Sequence, residues 1–144
     1  MNGSLKDQAV LVIGRGSGIA RAVTLAARDA GATVIAAGRD QQKLSGRDAG
    51  GGDHQRRRRT LVRSLALELG PIRVNAISPG TIDTGAWDAL GPQGKADFFA
   101  AASARNPVMR IGTTDDIANA VLFALTSSFL TGQTLHIDGG EPLT

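Results

Sequence analysis

The chain has no cysteine and no tyrosine, and aromatic residues make up only 3% of its 144 positions. Without cysteine, disulfides, cysteine-ligated zinc and thiol redox chemistry are excluded, and a cytoplasmic location is the expectation. Without tyrosine and with so few other rings, the core falls to Ala, Val, Leu and Ile. Long apolar runs are missing too: Ala118 to Leu125 is interrupted by Asn119 and stays well below the roughly 20 residues a membrane span needs. The run Ala9 to Ile13 is too short for a signal peptide and reads as a strand. No His, Asp or Glu cluster has metal-ligand spacing. His54 and His136 stand alone and read as a junction residue and a strand residue.

What is present fits a folded chain. Hydrophobic residues are 42% of the total, enough for a core, and the length fits one domain over 1–144. The net charge of +3 rests on one run, Arg56 to Arg59. With no interleaved aromatics, that run reads as a solvated segment and not as a nucleic-acid surface.

Gln8 to Ile13 reads as a buried strand, Gly14 to Gly18 as a tight turn, and Ile19 to Asp29 as a helix with Ala20, Val23, Ala27 and Ala30 on one small apolar face. Gly31 follows as a C-terminal stop, and Thr33 to Ala37 is a second strand. Between 38 and 55 no period survives, and residues 44–59 read as an irregular junction between a half at 1–43 and a half at 60–144. Helical spacing returns in Leu61, Val62, Leu65, Ala66 and Leu69. Extending that face backward would bury Arg57 and Arg58, so a helix start near Thr60 is predicted. Ile72 to Ser78 reads as a third strand. Residues 85–107, with Gly and Pro among Trp87, Leu90, Phe98 and Phe99, read as short helices and connections. Thr113 and Asp116 form a capping box for a helix that runs on through Ile117, Val121 and Leu125. Thr134 to Ile137 is the last strand.

Gly14, Arg15, Gly16, Ser17, Gly18 and Ile19 follow a strand and open a helix, the context in which glycines let a backbone approach a pyrophosphate at free helix N–H groups. In dinucleotide folds an acidic residue about 20 positions on takes the NAD ribose, while an Arg accommodates the 2′-phosphate of NADP. Arg39 occupies that place and Arg15 can join it, which favours NADP(H) over NAD(H). Asp40, next door, would reverse the preference if it replaced Arg39 at the ribose.

Residues 5–43 and 60–140 together resemble the short-chain dehydrogenase/reductase family, especially 3-oxoacyl-carrier-protein-reductase-like members. The turn is similar to the family's Thr-Gly-x-x-x-Gly-x-Gly, with Ile13 and Ala20 departing from it. The stretches Arg63 to Leu69, Ile72 to Gly80 and Thr131 to Gly140 resemble three further family segments in order. The resemblance implies an α/β Rossmann-like doubly wound parallel sheet, truncated to about four strands at 8–13, 33–37, 72–78 and 134–137. It also implies hydride transfer between a nicotinamide dinucleotide and a small carbonyl or alcohol, and a homo-oligomer. The family's nicotinamide loop maps onto Pro79, Gly80, Thr81, Ile82 and Thr84, and its substrate lid onto 85–106, where Trp87 and Phe99 are either substrate contacts or ordinary packing.

The resemblance fails at the catalytic centre. Aligned back from Arg63, the family's Tyr and Lys fall on Gly51 and Gln55, and no tyrosine exists elsewhere to replace the first. The segment with the catalytic Ser and three βα units has no counterpart between Arg39 and Pro79, as an internal deletion with a shifted reading frame over 46–59 would leave it. No catalytic residue is therefore assigned. The shortened sheet can close by direct pairing, be filled by another protomer, or keep open edges. Three functions stay open: an impaired or inactive NADP(H)-binding oxidoreductase, a noncatalytic oligomerisation or interaction module, and a remnant without function.

Overall fold

The structure is a computed structural model that describes residues 5–13, 18–37 and 52–143. Its elements in chain order are β1 (Ala9–Ile13), α1 (Gly18–Asp29), β2 (Thr33–Ala37), α2 (Gly52–Glu68), β3 (Ala76–Pro79), α3 (Gly91–Arg105), α4 (Thr114–Thr126) and β4 (Thr134–Ile137). Short 3-10 turns occupy Asp88–Leu90 and Glu141–Leu143. The chain is thus an α/β protein with short parallel sheets, as the sequence predicts.

β1 and β2 run parallel, with Val10 opposite Val34 and Leu11 opposite Ile35. The crossover between them is α1, whose Val23 and Ala27 are buried as its small apolar face requires. Side chains alternate across a strand, so Val10 and Val34 face one way and join Leu5, Ala27, Ala32 and Ala30 in the core. Leu122 and Leu125 of α4 pack against the same cluster, so a helix from the far end of the chain covers the N-terminal strands.

β3 and β4 form a separate parallel pair, with Ser78 opposite His136. Among the described residues the strands lie in two two-stranded sheets, β1–β2 and β3–β4. Among the described residues β1 does not pair directly with β3.

Three boundaries differ from the sequence expectation. α2 begins at Gly52, not near Thr60, and runs through Arg56 to Arg59; Arg and Gln are good helix formers and need no buried face to extend a helix. How those four side chains are solvated lies outside the described residues. The predicted apolar face of α2 is also narrower than expected: Val62 is buried, whereas Leu61 and Leu69 are exposed. β3 starts at Ala76 instead of Ile72 because Val74 N–H donates to Thr131 Oγ1 and Gly132 N–H to the Val74 carbonyl. Residues 73–75 therefore pair with a loop, and the β4 ladder starts at Ala76 N–H to Gln133 O, 2.8 Å. Finally, residues 91–105 form one 15-residue helix where short pieces were expected. Pro92 sits in its first turn, where a missing N–H costs nothing, and the run from Lys95 to Arg105 has no breaker.

Polar clips fix the C-terminal segments. The Arg73 guanidinium donates to the carbonyls of Ala124 at 2.8 Å, Ser127 at 3.0 Å and Leu130 at 3.4 Å through Nη1, and to Leu125 at 2.9 Å through Nη2. A cation thereby satisfies the orphan carbonyls at the negative end of α4. Asn75 Nδ2 donates to Leu130 O, and Asn75 Oδ1 accepts from Gln133 N–H. At the other end of α4 the predicted capping box is present: Thr113 Oγ1 accepts from Asp116 N–H and the Asp116 carboxylate accepts from Thr113 N–H.

Candidate functional site

β1 belongs to one parallel pair and β3 and β4 form the other, and the segments that carry most of the predicted site follow the carboxyl ends of these strands, where α/β sheets bind ligands. Gly18 opens α1 with φ +56°, a conformation that favours glycine. A Cβ there would lie 3.2 Å from both Thr84 Cβ and Thr84 O. The amino end of α1 is thus seated on the Pro79–Thr84 loop, and two stretches predicted to contact one cofactor meet in space. Gly80 is equally constrained: a Cβ on it would lie 2.7 Å from Asp138 Cα, so only glycine lets β3 leave the sheet beside the end of β4.

The loop's polar groups divide into two sets. Thr81 is turned towards Glu141, whose carboxylate accepts from Thr81 N–H at 3.3 Å and from Thr81 Oγ1 at 3.2 Å. Ile82 is buried, and its carbonyl accepts from Trp87 Nε1 at 3.1 Å. Asp83 N–H donates to Gly112 O and Gly112 N–H to Thr81 O, which pins the loop to the segment before α4. None of the described hydrogen bonds uses the amides of Ile82 and Thr84. Gly80 N–H is taken by Ile137 O. Among the described contacts, the loop amides without a partner are thus those of Ile82 and Thr84, not that of Thr81.

Gly14, Arg15, Gly16, Ser17 and Arg39 lie outside the described residues, as does Gly51. Ile19 is half-buried in the first turn of α1. Trp87, before α3, and Phe99, in its middle, both belong to one aromatic group. Trp87 stacks on Phe98 with centroids 4.4 Å apart, and Phe98 meets Phe99 at 5.9 Å.

Behind the loop a cavity of about 190 Å³ is lined by Thr81, Ile82, Asn106, Arg110, Asp116 and Asp138 among others. Its polar groups are satisfied internally. Asn106 is buried and donates to Asp138 O while accepting from Val108 N–H. Arg110 Nη1 lies 2.7 Å from Asp116 Oδ2. That guanidinium, with Thr113 N–H, holds the Asp116 carboxyl far below the usual carboxylate range. Beside the loop, Lys95 Nζ lies 3.0 Å from Asp83 Oδ1 and 2.7 Å from Asp88 Oδ1. The Asp88 and Asp83 hydrogen bonds raise its pKa above the ordinary 10.5. Among the described residues no group of three potential ligands could hold a metal ion, and no helix is long and apolar enough to cross a membrane.

Comparison with known proteins accounts for this arrangement. A family model described as Enoyl-(Acyl carrier protein) reductase matches residues 58–141. The chain belongs to the short-chain dehydrogenase/reductase family. It is 42% identical over 87 residues to (2S)-[(R)-hydroxy(phenyl)methyl]succinyl-CoA dehydrogenase subunit BbsD of Thauera aromatica, covering 58% of this chain and 34% of that protein. It is 41% identical over 87 residues to the 3-oxoacyl-[acyl-carrier-protein] reductase FabG of Buchnera aphidicola, covering 57% and 34%. The match thus spans about a third of the length of these relatives. A C-terminal deletion mutant of Thermoplasma acidophilum aldohexose dehydrogenase has the same fold, with a TM-score of 0.79 at 21% identity over 97% of this chain and 99% of that one. A small-chain dehydrogenase in complex with NADPH gives a TM-score of 0.73 at 22% identity, covering 96% and 100%. Within this short-chain dehydrogenase/reductase, Arg73 and Asn75 are the residues that sequence reasoning left without a role. Their partners lie more than 50 positions away, and no local pattern reveals them.

Proposed function

We propose that this chain binds a nicotinamide dinucleotide, NADP(H) in preference to NAD(H), between the amino end of α1 and the Pro79–Thr84 loop, and that it does not reduce carbonyls at an enzyme's rate. The observation that carries the reading is the seating of Gly18 against Thr84. A helix amino end offers free N–H groups and a positive dipole end to a pyrophosphate, and the amides of Ile82 and Thr84 stand ready beside it. From the sequence, Gly14, Arg15, Gly16, Ser17 and Ile19 are assigned to the pyrophosphate contact and Arg39 to the 2′-phosphate. The fold shared with a dehydrogenase solved in complex with NADPH supports the same reading.

A bound nicotinamide would supply the hydride. The chain itself would orient the ring through Ile82 and Thr84, and Gly80 would keep the loop close to the sheet. It has no phenol to give the accompanying proton. Loss of a general acid alone lowers a rate by about 10²–10⁴. The partners under this reading are a small carbonyl compound at the crevice and a second copy of the chain. Leu11 and Ile35, opposite each other in the β1–β2 register, expose 60% and 59% of their surface on one sheet face, an apolar patch that self-association would cover.

Fluorescence titration with NADPH and NADH tests the proposal. Saturable NADPH binding is expected, weakened tenfold or more by Arg39→Ala and abolished by Gly16→Asp, with no carbonyl reduction above background. No response to either nucleotide at about millimolar concentration would sink it.

A further inference from the structure

Lys95 lies on α3, twelve positions from Asp83 and seven from Asp88, yet its ammonium touches both carboxylates, at 3.0 and 2.7 Å. One helical turn further on, the Phe99 ring centroid lies 5.4 Å from the same nitrogen, within cation–π range. The side chain is 25% exposed, so part of its hydration has been exchanged for these three partners. Asp83 stands between Ile82 and Thr84, the two residues whose amides the other contacts leave unused. A second tie runs in parallel: Trp87 Nε1 donates to Ile82 O while the Trp87 ring stacks on Phe98 of α3. One charged and one aromatic contact therefore join the same helix to the same four-residue loop.

We propose that Lys95 is a positioning residue, the latch that holds α3 and Trp87 down on the Thr81–Thr84 loop and so fixes the donors at Ile82 and Thr84. The coupling to nucleotide rests on the function proposed above; the latch itself does not. An ion pair with two partially exposed carboxylates is screened by salt, so the latch loosens as ionic strength rises. The aromatic tie is insensitive to salt and keeps α3 from leaving altogether. α3 thus has a held state and a loosened state, and Lys95 sets the balance between them.

The chain supplies its own probe. Trp87 is its one tryptophan, and there is no tyrosine, so intrinsic emission reports on the latched side chain alone. Lys95→Met is expected to shift that emission to the red and to raise acrylamide quenching about twofold or more, with far-UV circular dichroism unchanged. Wild type in about 1 M KCl, where the screening length falls to about 3 Å, moves in the same direction, and Lys95→Met no longer responds to salt. Lys95→Arg restores most of the wild-type emission. If Lys95→Met does not fold, Asp83→Asn with Asp88→Asn removes the same contacts from the other side and gives the same shift. Emission and quenching unchanged in the variants, or an equal salt response with and without Lys95, overturn the latch. For the coupling, Lys95→Met is expected to weaken NADPH binding about fivefold, the lower end of usual coupling strengths; equal affinity overturns it. A wild-type chain that ignores NADPH defeats the proposed function, while the emission data, taken without nucleotide, still decide the latch.

Discussion

Around β3 and β4 the polar side chains are committed to the fold: Arg73 closes the end of α4, Asn75 bridges to Leu130 and Gln133, Thr81 is gripped by Glu141, and Asn106 ties the turn after β4. Around β1 and β2 the described contacts are of another kind. There the chain is held by strand pairing, by α1 and by the apolar contact of Leu122 and Leu125 from α4. One sheet face of this region is covered and the other shows Leu11 and Ile35 to solvent. The C-terminal segments contain their own hydrogen-bond partners within 58–141, the stretch matched by the family model. Parallel strands are usually covered on both faces, and among the described residues β1 and β2 are covered by α1 and α4 on one.

Breaking the stronger region should cost most. Arg73→Met removes one donor group from four carbonyls at the end of α4 and is expected to destabilise by about 3 kcal/mol, since charged hydrogen bonds and orphaned carbonyls are each worth 1–3. Urea unfolding would read this as a lower midpoint at unchanged slope. Gly80→Ala comes next, because its Cβ would meet Asp138 Cα at 2.7 Å, backbone against backbone. About 2 kcal/mol is expected, as for other overpacked sites. A change below about 0.5 kcal/mol in either variant would mean that the clips do not set the stability of this region.

A smaller effect is expected at the capping box, and it carries a pH signature. Thr113→Ala should cost about 1 kcal/mol. Asp116 has its carboxyl pulled below the ordinary 3.8, first by Arg110 and then by Thr113 N–H. A depressed carboxylate stabilises the fold fully above the unfolded value and loses that contribution as pH falls towards the folded one. Stability should therefore decline from about pH 5 downward, and Asp116→Asn should flatten that limb. Thermal unfolding across an acid series measures both, and an identical acid limb in the variant would remove Asp116 as its source.

Much of this was readable from residues alone because its causes are local. The first strand, the helix that follows it, the second strand, the Thr113–Asp116 box and the final strand each depend on neighbours within a few positions. The close approaches of Gly18 to Thr84 and of Gly80 to Asp138 needed coordinates. Four features were not legible. Residues 73–75 carry a strand-like pattern but give their polar groups to segments over 50 positions away. α2 extends through arginines that an apolar-face argument rejects. Gly91, Pro92 and Gly94 look like breakers yet fall in the first turn of α3, where they are tolerated. Lys95 shows no pattern at all, because its partners lie across a turn. Arg39, on which the choice of NADP(H) turns, lies outside the described residues and is tested only by substitution.

The smallest stability change should come from the weaker region, and it bears most directly on the comparison. Ile35→Thr keeps a β-branched residue in β2, and Leu11→Thr supplies a good strand former in β1. Both wild-type residues already expose more than half their surface. The double variant should therefore unfold within about 1 kcal/mol of wild type in dilute solution, as exposed positions do. Its effect should appear in association instead: static light scattering against concentration should show less self-association than wild type. A loss of about 3 kcal/mol, the scale of fully buried apolar groups, would show that this face is covered and that the N-terminal strands are as closely enclosed as the C-terminal ones.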